Sequence, residues 1–108
     1  MNDTEMFERL ISGLVEIFDD RTIRIILYGS VARGTQTEES DVDIAVILKT
    51  YTPQMQDRMW DLIVDLELEY DRVLSVLLIE ADRFAEWEDV LPFYKNVKEE
   101  GIVLWPAA

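Results

Sequence analysis

The sequence contains no cysteine and no histidine. Without cysteine there is neither a disulfide framework nor a thiolate metal site, a pattern that fits a reducing cytoplasm. Without histidine, imidazole cannot serve as general base, nucleophile or metal ligand. Any catalysis must therefore run on carboxylates, hydroxyls, backbone amides and a few basic side chains. Basic residues are themselves scarce: 10 Lys and Arg stand against 23 Asp and Glu, a formal net charge of −13. Such a surface repels phosphate backbones, which argues against stable nucleic-acid binding; it tolerates divalent cations and favours a basic protein partner. Apolar runs are short, and none approaches the roughly 18 residues that span a membrane. The acidic, polar start MNDTEMFERL is unlike a signal peptide. A cytoplasmic protein with no membrane association is expected. With 4 glycines and 3 prolines there is no Pro/Gly-rich linker, and no repeat or low-complexity tract interrupts the chain. Residues 1–108 are read as a single domain with one core.

What is present alternates. Phe7, Leu10, Ile11, Leu14 and Phe18 recur at helical spacing, with Asp3 or Thr4 as N-cap. TIRIILY (22–28) is short and β-branched, hence a strand, and residues 29–40 form a polar loop with room for one helical turn. DVDIAVIL (41–48) is a second strand whose apolar end should be covered on both faces. Pro53 suits the first turn of a long helix running to about Tyr70, RVLSVLLIE (72–80) is a third strand, and EADRFAEWEDV is a short helix or turn. PFYKNVKEEG (92–101) carries Pro and Gly as helix punctuation before a last strand, IVLW (102–105). This alternation predicts an α/β or α+β domain, a small mixed sheet flanked by helices.

The chemistry gathers in residues 27–48. Gly29, at the end of the first strand, lets a ligand approach the main chain, and Ser30 opens a turn with a hydroxyl and exposed N–H groups, a cradle suited to phosphate. Arg33 reaches the same region with a permanently charged fork. On a strand, Asp41 and Asp43 would share a face within about 7 Å of each other, where they repel unless a cation lies between them. Hard oxygen donors suit Mg²⁺ or Mn²⁺ shared with substrate phosphates. Gly-Ser occurs in countless turns and Asp-x-Asp commonly marks a solvated strand edge. Joined as strand, Gly-Ser, ten residues, Asp-x-Asp, strand, they point to phosphoryl or nucleotidyl transfer.

GSVARG (29–34) and SDVDIAV (40–46) resemble the GSxARG and SDxDIxV motifs of the minimal nucleotidyltransferases in the DNA polymerase β-like superfamily, and PFYKNVKEEGIVLW resembles the tail of its small members. The resemblance implies the nucleotidyltransferase fold. It implies that Gly29, Ser30 and Arg33 hold the triphosphate of ATP or another nucleoside triphosphate, and that Asp41 and Asp43 are catalytic and bind Mg²⁺ (or Mn²⁺). Active members usually carry a third acid on the next strand. That position here is Ser75, with Asp71, Glu38 or Glu39 as substitutes. Small stand-alone members are antitoxins of HEPN-domain toxins and transfer AMP to a toxin tyrosine. The resemblance therefore implies either such a transferase or a catalytically weak nucleotide-binding antitoxin that acts by complex formation.

The helix after Pro53 carries a second apolar line, Trp60, Val64 and Leu68, interspersed with acids. Either it forms a homodimer or hetero-oligomer interface facing a basic partner, or the C-terminal segment with Trp87, Phe93, Tyr94 and Trp105 covers it.

Overall fold

The computed structural model describes residues 3–34 and 41–106. Helix α1 (Asp3–Phe18) leads through a 3-10 turn (Asp19–Arg21) into strand β1 (Thr22–Tyr28), followed by α2 (Gly29–Arg33) and β2 (Val42–Leu48). The long helix α3 (Pro53–Tyr70), strand β3 (Leu74–Glu80), helices α4 (Ala81–Trp87) and α5 (Pro92–Glu100), and strand β4 (Ile102–Trp105) complete the order. One sheet results, ordered β3-β2-β1-β4; β1 is antiparallel to β2 and β4, and β2 is parallel to β3. A parallel pair needs a crossover, and α3 supplies it. The expected mixed sheet flanked by helices is what the chain adopts.

Strand alternation sorts the core into two layers. Ile25, Leu27, Ile44 and Val46 pack with Leu10, Leu14, Met59 and Ile63 of α1 and α3, while Ile26, Ala45 and Ile47 pack with Phe84 and Val97 of α4 and α5. Strand β2 is accordingly buried on both sides, apart from Asp43. Helix α3 starts where its signals place it: Thr52 is the N-cap, its hydroxyl accepting from the Met55 N–H at 3.2 Å, and Pro53 occupies the first turn. Helix α1 differs. Asp3 and Thr4 lie in its first turn and do not precede it; Asp3 is paired with Arg72, two residues past the end of α3. Arg9 ties the same two helices through Glu69 and the Tyr70 hydroxyl. A Cβ on Gly13 would lie 2.6 Å from Leu62, so the missing side chain sets how closely α1 approaches α3.

The C-terminal helices lie against the sheet face opposite α3, so they do not cover its second apolar line. Trp60, Val64 and Leu68 remain 46%, 49% and 80% exposed. Among the described residues, no helix is long and apolar enough to cross a membrane.

Candidate active site

Tyr28 ends β1 with extended backbone. Gly29 then takes φ +76°, a left-handed conformation that side chains rarely adopt, and turns the chain into α2. Gly34 closes that helix at φ +74°, donating its N–H back to the carbonyls of Ser30 and Val31. Of the stretch 29–40, expected as a loop with one helical turn, Gly29–Arg33 forms that turn as a short helix headed by Gly29 and Ser30, and residues 35–40 lie outside the described residues.

The acidic half arrives from β2. Asp43 stands opposite Tyr28 in the antiparallel register, and a Cβ on Gly29 would sit 2.3 Å from Asp43 Oδ2. The carboxylate therefore occupies the space that glycine leaves open, and the two halves of the motif meet. Asp41 was expected inside the strand; it lies exposed, one residue before β2 begins. It still acts on Asp43. Burial is the larger cause holding the Asp43 carboxyl above its usual range, the negative charge of Asp41 adds to it, and Arg33 opposes both. Arg33 also approaches Glu100 of α5 at 3.5 Å, with both side chains about half exposed.

As a donor set, Asp41 and Asp43 fit a hard divalent cation that completes its shell with substrate phosphates. Among the described residues there is no group of three or more His, Cys, Asp or Glu able to hold an ion unaided. Asp71 joins no such group; it ends α3 at φ +53°. Glu38 and Glu39 lie outside the described residues. Register places Ser75 of β3, the position where the resemblance implies a third acid, directly beside Asp43 of β2.

Above this pair opens a cleft of about 430 Å³, lined by Tyr28, Asp43, Trp60, Ser75 and Leu77, among others. A smaller cavity of about 210 Å³ adjoins on the other side of Tyr28, between Gly29, Arg33, Phe93 and Asn96. Sequence reasoning missed Tyr28 and Asn96. Tyr28 was legible as the residue bordering Gly29, whereas Asn96 reaches the site only because α5 folds back across the sheet. Burial first, and then the charge of Asp43, push the Tyr28 phenol above its ordinary value.

The family model for the nucleotidyltransferase domain matches residues 8–104. The chain belongs to this family. It is a nucleotidyltransferase, and its relatives agree. A Methanocaldococcus jannaschii protein provisionally named a protein adenylyltransferase is 33% identical over 105 residues, covering 97% of this chain and 100% of its own. Two solved structures share the fold. A toxin–antitoxin with AMP-PNP matches with TM-score 0.63 at 24% identity, covering 94% of this chain and 73% of that one. A tri-AMPylated Shewanella oneidensis HEPN toxin in complex with MNT antitoxin matches with TM-score 0.57 at 18% identity, covering 98% and 74%. Nucleotidyltransferases of this family use a nucleoside triphosphate and a divalent metal.

Proposed function

We propose that this nucleotidyltransferase moves AMP from ATP, with Mg²⁺, onto a tyrosine hydroxyl of a HEPN-domain partner, and that it acts in the cytoplasm as that partner's antitoxin. One observation carries the reading: Gly29 leaves room at its own Cα for the Asp43 carboxylate, so the Gly-Ser turn and Asp43 meet as a shared nucleotide and cation site requires. A related fold solved with AMP-PNP, and another solved with an AMPylated HEPN toxin, support the choice of nucleotide and acceptor.

Gly29, Ser30 and Arg33 hold the β- and γ-phosphates, and Asp41 and Asp43 would hold the cation. When bound, the cation neutralises phosphate charge and stabilises the pyrophosphate leaving group. The acceptor oxygen attacks the α-phosphorus, a new P–O bond forms, the bond to the β-phosphate oxygen breaks, and pyrophosphate leaves on the Gly29–Ser30 turn. Ser75, beside Asp43, is a poor base, and Asp43 is assigned to the cation, so the hydroxyl proton passes to water. Transfer should therefore be slow. The same residue favours a second reading, an antitoxin that neutralises by complex formation alone.

Incubation with labelled ATP, Mg²⁺ and the adjacent gene's product separates the two. Label on the partner, lost in Asp41→Ala and Asp43→Ala, is the expected result. A tight, unlabelled complex that survives both substitutions favours the second reading.

A further inference from the structure

The cleft has a direction. In-line displacement requires the acceptor oxygen to approach opposite the leaving pyrophosphate. Pyrophosphate leaves at the Gly29–Ser30 turn, at the end of β1. Across the order β1, β2, β3, the opposite side is the β3 edge, where Ser75, Leu77 and Trp60 line the cleft. That wall carries no charge, and it opens onto an apolar surface. Trp60 begins a row on α3 that continues through Val64 and Leu68, all exposed, and Val73 and Leu77 of the β3 segment are also 53% and 43% exposed. Beside the row runs a second one at the same spacing, Asp57, Asp61 and Asp65, likewise exposed. None of these acids forms an ion pair among the described residues.

We propose that this ridge seats the acceptor protein, which docks through an amphipathic helix bearing an apolar stripe flanked by Lys or Arg, and so delivers its tyrosine over Ser75. The inference rests on the transferase reading of the cleft. Apolar contact supplies affinity, and the acid row selects and steers the basic flank. Continuity through Trp60 links the docking row to the cleft, so one surface both recognises the partner and aims its hydroxyl.

The test uses a synthetic helix with a row of leucines, a neighbouring row of lysines and one terminal tyrosine, and a twin in which glutamates replace the lysines. The lysine helix should bind about tenfold tighter or more. Val64→Asp and Leu68→Asp should remove most of that binding, and the triple substitution Asp57→Lys, Asp61→Lys, Asp65→Lys should reverse the preference. Val103→Asp on β4, at the opposite sheet edge, should change nothing. With labelled ATP, the lysine helix should accept AMP faster than N-acetyl-tyrosinamide. Val64→Asp and Leu68→Asp should erase that advantage while retaining Mg·ATP binding. Equal binding of the two helices, or none to folded protein, overturns the proposal. So does concentration-dependent self-association that Leu68→Asp abolishes, because the ridge then serves a second copy of the chain. Charge-selective helix binding without nucleotide binding or label upholds the ridge and overturns the transferase reading instead.

Discussion

The two ends of the cleft are built differently. At the β1–β2 end, Gly29 and Asp43 are so close that no side chain fits between them, and Arg33 and Asp41 both act on the same carboxylate. At the β3 end the position beside Asp43 holds a serine, and the wall is apolar and open to solvent. One end is specified for charge and the other for contact. On the proposed reading, the contrast means that grip on a nucleotide and activation of an acceptor are separable within one fold, with the first more fully provided for here than the second.

The largest effect should come from breaking the charged end. Asp43→Asn keeps shape and removes charge, and transfer measured with labelled ATP should fall by about a hundredfold or more, the scale of losing several kcal/mol of metal-assisted stabilisation. Sharpening the other end should work in the opposite direction. Ser75→Asp supplies the missing base, and the transfer rate should rise by about tenfold or more; because Ser75 is half-buried beside Asp43, a new charge there should also lower apo stability in urea melts. Gly29→Ala should cost about 1–3 kcal/mol of stability from its positive φ alone, and displacing the Asp43 carboxylate should weaken Mg·ATP binding in calorimetry.

The smallest effect concerns pH. Asp43 has a raised carboxyl pKa, so the folded apo protein binds its proton more readily than the unfolded chain does. Its contribution to stability therefore declines as pH rises from the ordinary aspartate value through the raised one, and the deficit persists above it. Asp43→Asn should flatten that part of the stability–pH curve in thermal melts and gain a few tenths of a kcal/mol near neutrality, a small amount because the group is partly exposed.

Much of this was legible because the signals are local. TIRIILY, Pro53 after Thr52, and IVLW mark β1, the start of α3 and β4 at the bounds they adopt. The motif resemblance singled out Ser75 as the third-acid position on β3, and the parallel register sets it beside Asp43. Other features depend on topology. Whether the tail covers Trp60, Val64 and Leu68 is decided by which sheet face α4 and α5 take, and no periodicity encodes that choice. Asp41 lies outside β2 because pairing begins only where the Val42 N–H finds the Val73 carbonyl, at 2.8 Å. Asn96 joins the site through a chain reversal, and nothing in its own neighbours announces it.

The most direct measurement is the enhancement of water-proton relaxation by Mn²⁺, standing in for Mg²⁺, as protein is titrated into Mn²⁺ and AMP-PNP. The account predicts that wild-type protein binds cation and nucleotide together and raises the enhancement above that of free Mn²⁺·AMP-PNP, whereas Asp41→Ala and Asp43→Asn leave it at the free value. Equal enhancement with wild type and with both variants would show that the cation sits elsewhere, and the assignment of these carboxylates would fail.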